Sequence, residues 1–249
     1  MDEDSGLDKL FFELASESRL AILRLLQKEK LKMQEIARRL NVTATEAFRQ
    51  LERLTTAALV ERQPDGSFEV SEYGKLVLQV SSSLDFISKN KAYFSTHNVM
   101  LLPAQFVNRL GELSGAQLSL DTIANLNKSE QAYVNAKVFG CGIAEGTIPE
   151  HMIPKMNQKM LEGLKFKFLI PMNRMPETDR SIETPNVEGR GIDQLPLILV
   201  LTEKFGGVCF LQADGKVDYA GFMGDDPTFL KWVTDVFNYY WEQAGYRKD

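Results

Sequence analysis

Apolar residues in the first quarter of the chain recur at helical spacing, in segments separated by short polar breaks. Residues 7–27 carry an apolar stripe with one polar interruption, which predicts two consecutive helices, the second capped by Ser16 or Ser18. Residues 32–40 predict a further short helix, and residues 41–42 predict a tight turn after it. The chain is therefore expected to begin with short, closely connected helices.

A longer helix is predicted to begin after Thr43 and to run to Leu54. Thr43 and Glu46 fit the capping box, in which the hydroxyl accepts from one backbone amide and the carboxylate reaches back to another. Ala47, Leu51 and Leu54 follow at i, i+4 and i+7, so they are predicted to form the buried face of this helix.

The spacing of apolar positions changes to two after residue 59, which is typical of short strands. Residues 60–62 and 67–70 flank a turn sequence at 63–66, and together they predict an antiparallel hairpin. Residues 73–91 return to helical spacing. Its apolar stripe, Leu76, Val80, Leu84 and Ile87, could pack on its own domain or against a second copy. Because two-fold pairs are the commonest assembly, we expect the pairing with a second copy.

The second half of the chain alternates strand-like and helix-like segments, which predicts a mixed α/β domain. Residues 171–193 are polar and rich in Pro, Asn and Glu, so they predict a long loop. The last helix is predicted to begin at Asp226, with Pro227 at its first position. The other predicted elements are strands at 116–120, 136–143, 164–170, 196–202, 206–212 and 216–222, and helices at 122–134 and 149–162.

A helix, a tight turn, a capped helix and a hairpin follow one another without insertion, which is the order of a winged helix-turn-helix. In this motif the first helix of the pair braces the DNA backbone and the second places side chains in the major groove. We therefore predict a DNA-binding domain over residues 1–71, a linker and dimerisation helix over 72–94, and an α/β domain for effector binding or dimerisation over 95–249. The fold class is α+β or α/β.

The outer face of the helix at 43–54 is predicted to contact double-stranded DNA. Arg49 is the leading base reader, because a guanidinium can bridge both acceptors of guanine. Thr45 and Gln50 are weaker candidates for contact with a base or a phosphate. A solvated charged face is the plain alternative, but the position on a helix-turn-helix favours DNA contact. The rest of the predicted interface comprises Lys32, Arg38, Arg39, Thr43, Arg53 and Arg62, most of which suit phosphates.

Two runs of sequence resemble the ArsR-type winged-helix regulators. Residues 18–26 (SRLAILRLL) are similar to the opening helix of that family, and residues 35–60 are similar to its recognition unit. The whole chain also resembles archaeal regulators of the methanogenesis-regulator and TrmB-like groups. That resemblance implies a C-terminal domain with a phospholipase-D-like fold that senses or dimerises without catalysis. Metal sensing is not implied, because the recognition unit lacks the cysteine pair of the metal-sensing members.

Charge is unevenly distributed along the chain. The formal net charge is −5, whereas residues 28–62 carry eight basic and five acidic side chains. The local positive excess lies where DNA contact is predicted.

Cys141 and Cys209 lie in separate apolar stretches and are expected to be reduced, buried thiols, with a redox role for Cys141 as the lesser alternative. Without an apolar run of about 20 residues or an apolar signal segment, the expected location is cytoplasmic, with no membrane partner.

No catalytic residue, metal site or cofactor is predicted. His97 and His151 are far apart in the sequence, and neither has an evident acid partner or a thiol at ligand spacing. The main alternative is a phospholipase-D-like phosphodiesterase with a DNA-targeting module, but that chemistry needs a histidine two residues before a lysine, and the pattern is absent. A non-specific architectural DNA-binding protein is a third reading, which a more basic chain would favour.

Overall fold

The computed structural model describes residues 6–146, 148–174 and 186–245. The chain divides into two compact units, Met1–Ser81 and Ser82–Asp249. Each unit has its own hydrophobic core, as compact structural units do. The boundary between the units falls within one helix, α5 (Glu72–Lys89).

The first unit combines short helices with a small sheet. The helices predicted within 7–27, at 32–40 and at 43–54 are present, with bounds that differ by a few residues. A two-residue strand before the third helix was not predicted, because so short a segment carries no periodicity. The elements that precede α5 are α1 (Gly6–Leu14), α2 (Glu17–Leu26), β1 (Leu31–Lys32), α3 (Met33–Leu40), α4 (Ala44–Thr56), β2 (Val60–Arg62) and β3 (Ser67–Val70).

Local side-chain chemistry marks the start of α4. Asn41 ends α3 in the left-handed region at φ 54°, a conformation that asparagine tolerates. Thr43 Oγ1 then accepts a hydrogen bond from the Glu46 amide at 3.1 Å, as the capping box predicts. The Glu46 carboxylate instead accepts from Gln50 Nε2 at 2.5 Å. The second half of the predicted box is therefore replaced by a contact within the helix.

The small sheet has β3 at its centre, antiparallel to both β1 and β2. Asp65 Oδ1 accepts from the Ser67 amide at 2.9 Å and from the Ser67 hydroxyl at 2.6 Å, which closes the predicted turn. Gly66 has φ +80°, a conformation open to a residue without Cβ. The predicted hairpin is confirmed. The core of the unit comprises Ile22, Leu23, Leu26, Leu31, Ile36, Leu51, Leu54, Leu59, Val60, Val70 and Val77.

The second unit is a mixed α/β structure, as the alternation of segments predicts. Short 3₁₀ turns connect several of its elements. Its strands and helices are α6 (Lys91–Phe94), β4 (His97–Asn98), α7 (Ala104–Val107), β5 (Gln117–Ser119), α8 (Thr122–Asn135), β6 (Phe139–Ile143), α9 (Ile153–Leu161), β7 (Lys165–Pro171), β8 (Val187–Ile192), β9 (Leu197–Thr202), β10 (Gly206–Gln212), β11 (Gly221–Gly224) and α10 (Pro227–Gln243).

The large sheet has the strand order β5-β11-β10-β9-β6-β7-β8, with β4 paired to one end of β10. Strands β6, β7 and β8 run parallel to one another, and the other pairings are antiparallel. Strand β8 corrects the prediction of a loop over 171–193. Its polar composition hid it, because it has Glu188 and Arg190 where a buried strand has apolar residues. Residues 175–185 of that predicted loop lie outside the described residues.

Helix α10 packs its apolar face into the core of the second unit. Asp226 Oδ1 accepts from the amides of Thr228 and Phe229, which confirms the predicted cap. Trp232 is fully buried, and its Nε1 donates to the Phe106 carbonyl at 3.2 Å. This single hydrogen bond satisfies the one polar group of the largest core side chain.

Two ring side chains connect the beginning of the second unit to its sheet. Tyr93 Oη donates to the Ala220 carbonyl at 2.9 Å and accepts from the Phe210 amide at 3.1 Å. Burial raises the pKa of Tyr93 far above its ordinary value, so the phenol stays protonated. The His97 ring stacks on Tyr93 with centroids 3.8 Å apart, and its Nε2 lies 3.1 Å from Asp218 Oδ2. These contacts attach β4 to the sheet.

Gly74 generates a prediction for the first unit. A Cβ at this position would lie 2.1 Å from the Leu59 carbonyl oxygen and 2.7 Å from Val70 Cγ1. Gly74→Ala is expected to lower the free energy of unfolding by about 1–3 kcal/mol, although alanine is the better helix former. Urea denaturation measures the change. Gly6→Ala, which meets nothing within 4 Å, is the control, and equal stability of the two variants would contradict the prediction.

Asp218 generates a pH-dependent prediction for the second unit. Its partial burial raises the pKa, but hydrogen bonds from Gln212 and Ala220 and the contact with His97 outweigh burial, so the pKa lies below the ordinary value. The carboxylate therefore stabilises the fold at neutral pH, and this stabilisation is lost as the pH falls below about 4.

Asp218→Asn is expected to lower the free energy of unfolding by about 1–3 kcal/mol at pH 7. The difference from the unchanged protein should shrink as acid is added. Denaturant titrations from pH 7 to pH 3 measure it. Asp214→Asn, in an exposed pair with Lys216, is the matched control and should have a much smaller effect. A difference for Asp218 that stays constant over this range would contradict the assignment.

Candidate nucleic-acid interface

A buried arginine positions the helix that carries the predicted interface. Arg19 Nη1 donates to Gln50 Oε1 on α4 at 3.1 Å, and Arg19 Nη2 and Nε donate to the carbonyls of Phe12 and Glu13 at the end of α1. The Glu13 carboxylate supplies a countercharge 2.8 Å from Nε. Gln50 also donates to Glu46. Gln50 is therefore buried and engaged on both sides of its amide, which removes it from the surface predicted to contact DNA.

Several side chains of α4 are exposed away from its buried residues. Those in its first two turns include Thr45, Phe48 and Arg49, and the acidic Glu52 lies one turn beyond them. The Arg49 side chain is 68% exposed, and its Nη2 lies 3.6 Å from Glu46 Oε2. An exposed pair of this kind contributes little free energy, so the guanidinium can leave it for another acceptor. The structure places Thr45 and Arg49 on the outer face of α4, as their helical spacing from the buried residues predicts.

Arg53 lies at the other end of α4 and is committed to α1. Its Nη2 donates to Glu13 Oε1 at 2.6 Å, and its guanidinium lies 5.0 Å from the centroid of the Phe12 ring. The hydrogen bond to Glu13 raises the pKa of Arg53. The sequence position of Arg53 predicts a DNA contact, whereas the structure pairs it with Glu13, 40 positions away.

The two arginines of α3 differ in how closely neighbouring carboxylates bind them. Arg39 donates to Glu29 at 2.6 Å and to Glu35 at 2.8 Å, and these bonds raise its pKa. The Arg38 side chain is 79% exposed and only reaches within 3.8 Å of Glu35. Arg38 is therefore the better placed of the pair to meet a phosphate.

The remaining predicted contacts lie beside the hairpin and at the start of α4. Lys32 is exposed on β1, and Arg62 is exposed on β2 with its guanidinium 5.9 Å from the Phe68 ring centroid. Thr43 is exposed, but its hydroxyl already serves as the cap of α4. Lys32, Arg38, Thr45, Arg49 and Arg62 are thus exposed without a short hydrogen bond to a carboxylate of the described residues, whereas the exposed Arg39 and Arg53 donate to carboxylates and Gln50 is buried.

Sequence reasoning assigned no role to Arg19, and it placed Phe48 on the outer face of α4 without assigning it a contact. Arg19 carried a usable signal, because it lies on the same helical face as the buried Ile22, Leu23 and Leu26, where a charge needs internal acceptors. Phe48 carried the opposite signal, since an aromatic residue lies on the face that the buried residues leave to solvent.

Helix α5 presents most of the stripe predicted for dimerisation. Leu76, Val80 and Leu84 are 59%, 67% and 54% exposed and recur every four residues along the helix. Ile87 is only partly exposed and packs against the core of the second unit. The outward stripe therefore ends at Leu84.

Both histidines of the second unit have a carboxylate partner, which corrects the expectation that neither has one. His97 pairs with Asp218, and the exposed His151 pairs with Glu130 at 2.8 Å. Each partner comes from a segment distant in sequence, so spacing could not reveal it. Within the described residues, no group of three or more metal-ligating side chains occurs.

The cysteines lie within the second unit as buried thiols. Burial raises the pKa of Cys141 and of Cys209 to about 12, so both are protonated at neutral pH. On either side of Cys141, a Cβ at Gly140 would lie 2.6 Å from the Phe166 ring and one at Gly142 would lie 2.5 Å from Tyr133 Oη. Close packing explains the two glycines.

A surface cavity of about 390 Å³ lies between α8 and the turn from β9 to β10. Its walls carry amide, ammonium and apolar groups. Glu203 lines it, but its carboxylate accepts a hydrogen bond from the Lys137 amide at 2.9 Å, just before β6.

In the part of the chain that the structure describes, no helix is long and apolar enough to cross a membrane.

Two segments of the chain match family models. Residues 7–90 match the model described as HVO_A0261 N-terminal domain. Residues 172–243 match the model described as methanogenesis regulatory protein FilR1, middle domain. A search of curated proteins found no match.

Several solved structures share part of the chain trace. An archaeal chromatin protein, TrmBL2, whose structure shows a novel mode of DNA binding, is 14% identical with a TM-score of 0.44, and the match covers 92% of this chain and 93% of that one. NucT from Helicobacter pylori is 10% identical with a TM-score of 0.39, covering 51% and 93%. Nuc from Salmonella typhimurium, a phospholipase D family member, is 12% identical with a TM-score of 0.38, covering 49% and 91%. At these scores the similarity carries no argument about activity.

Proposed function

We propose that this protein is a DNA-binding transcription regulator. In this proposal α3, α4 and the β2–β3 hairpin act as a winged helix-turn-helix, related to the ArsR type, and α4 enters the major groove. The observation that carries the proposal is the outer face of α4, on which Thr45 and Arg49 are exposed. The helix itself is capped by Thr43 and held by the hydrogen bond between Gln50 and Arg19. The match of residues 172–243 to a domain of a methanogenesis regulatory protein supports a regulatory role.

Base reading falls to Arg49 in this proposal. Its guanidinium has five donors in a planar fork and only an exposed, long contact with Glu46 to give up. Guanine offers two acceptors in the major groove at the spacing of that fork. Lys32, Arg38 and Arg62 are exposed cations near the same helix-turn-helix in sequence, and they are assigned to phosphates.

Dimerisation through α5 completes the DNA-binding proposal. The stripe of Leu76, Val80 and Leu84 exposes apolar side chains in a row along one helix, which a second copy of α5 would cover. Two copies related by a two-fold axis would present two reading helices to a palindromic site.

The second unit is proposed to bind a regulatory effector or a protein partner rather than to catalyse a reaction. The cavity beside α8, with Lys128, Gln131 and Lys204 among its lining residues, offers room for a small molecule. Phospholipase-D-like chemistry needs a histidine two residues before a lysine, and residues 97–99 and 151–153 do not provide it. This absence supports a non-catalytic role.

Arg49→Ala tests base reading. The variant is expected to lose about 1–3 kcal/mol of discrimination at one guanine per half-site, because the bidentate contact is removed. Arg38→Ala is expected to weaken all sites alike and to reduce the magnitude of the salt slope by about 1. Fluorescence anisotropy on specific and scrambled duplexes across salt concentrations measures both. Lys155→Ala, an exposed lysine of α9, is the control.

Three outcomes of that experiment count against the proposal. Equal affinity of the unchanged protein for all duplexes would indicate an architectural DNA-binding protein. No DNA binding at low salt would exclude a nucleic-acid function altogether. Unchanged discrimination in the Arg49 variant would move base reading to another residue.

Charge placed on the α5 stripe tests the dimer. Leu76→Glu combined with Val80→Glu should convert particles of twice the 28.2 kDa chain mass into particles of one chain mass, because like charges would face each other across the interface. Light scattering after size-exclusion chromatography measures the mass. Leu161→Glu, on a side chain that is 91% exposed in the second unit, is the matched control. A dimer that survives the double substitution would place the interface elsewhere.

A further inference from the structure

Phe48 is an exposed aromatic residue on α4. Its side chain is 53% exposed, and it belongs to neither the core of the first unit nor the partly buried residues packed against that core. Isolated exposed apolar residues are common, so exposure alone gives Phe48 no role. Its position on the helix gives the reason to assign one.

The buried residues of α4 define which way Phe48 points. Ala47, Leu51 and Leu54 face the core, and Gln50 turns inward to Arg19. Phe48 lies three positions after Thr45 and Arg49 lies four after it, so each neighbours Thr45 on the outward helix surface, one on either side of it. The ring therefore lies at one edge of the face proposed to enter the groove, next to Thr45.

A phenyl ring at that place can recognise only certain features of a duplex. It has no donor or acceptor, so it cannot take part in the hydrogen-bond pattern of base edges, and it has no charge to attract a phosphate. Insertion between stacked bases is typical of wedges in the minor groove and requires unstacking, so it does not suit a helix in the major groove. The one apolar group that a base presents in the major groove is the C5-methyl of thymine.

We propose that Phe48 reads thymine, by packing its ring against the C5-methyl group in the major groove. This inference rests on the proposed function and deepens it: the recognised half-site contains a thymine for Phe48 beside the guanine for Arg49. At this edge of the pyrimidine ring thymine differs from uracil only by the methyl group, and cytosine lacks the methyl and also presents an amino donor in place of the O4 acceptor, so an apolar contact with the methyl is specific.

The expected effect of the contact is modest and measurable. Removing one methyl group from an apolar contact costs about fourfold in affinity, the value for one buried CH₂ group. Deoxyuridine in place of thymidine removes this methyl and leaves the pairing edge unchanged. The substitution therefore isolates the contact that Phe48 is proposed to make.

The test begins with selection of sites by the full-length protein from a random duplex library. Each thymidine of the selected site is then replaced singly by deoxyuridine, and affinities are measured for the unchanged protein and for Phe48→Ala. We expect about a fourfold loss at one thymidine per half-site for the unchanged protein and no loss at that position for Phe48→Ala. Phe48→Leu should retain part of the methyl dependence, because leucine is also apolar.

Circular dichroism confirms that the variants are folded, and Leu161→Ala, an exposed apolar residue of the second unit, is the binding control. If a specific site is selected but no thymidine shows a methyl effect that depends on Phe48, the inference is wrong and the regulator remains. If no site is selected, the proposed function fails, and the reading role of Phe48 fails with it.

Discussion

The first unit depends on the buried guanidinium of Arg19. Helix α1 ends at Leu14, so the carbonyls of Phe12 and Glu13 have no partner within their own helix, and Arg19 supplies the donors. The same side chain donates to Gln50 on α4 and is neutralised by the Glu13 carboxylate. Leaving a buried charge without its partners costs about 3–5 kcal/mol. Helices α1, α2 and α4 are consequently held in one arrangement.

This arrangement separates the structural side of α4 from its outward side. Gln50 accepts a hydrogen bond from Arg19, and Arg53 donates to Glu13, so the polar residues of α4 nearest to α1 stabilise the fold. Thr45, Phe48 and Arg49 have no comparable commitment and differ in chemistry: a hydroxyl, a ring and a guanidinium. A rigid helix that offers three different groups is suited to distinguishing sequences, because each group favours a different feature of the groove.

The second unit obeys its own packing constraint. Its sheet is covered closely by helix side chains, and the glycines of β6 admit the Tyr133 ring, whose hydroxyl donates to the Cys141 carbonyl at 2.9 Å. On the other side of the unit, Trp232 and its neighbours on α10 fill the core. Chemically notable residues such as Cys141 and His97 are therefore part of the packing. The cavity beside α8 has a mainly apolar lining with Lys128, Gln131 and Lys204 among its polar groups.

Sequence by itself determined the helices of the first unit, the Thr43 cap, the hairpin and the apolar face of α4, since each depends on residues within a few positions of one another. Strand β8 was not predicted from the sequence, because its composition is polar and its pairing with β7 is what makes it a strand. Only the tertiary structure decided which arginines are held by carboxylates distant in sequence. Arg53 and Arg49 look equivalent along the helix, yet the acceptor of Arg53 lies 40 positions away, and interactions over that distance leave no periodic trace in sequence.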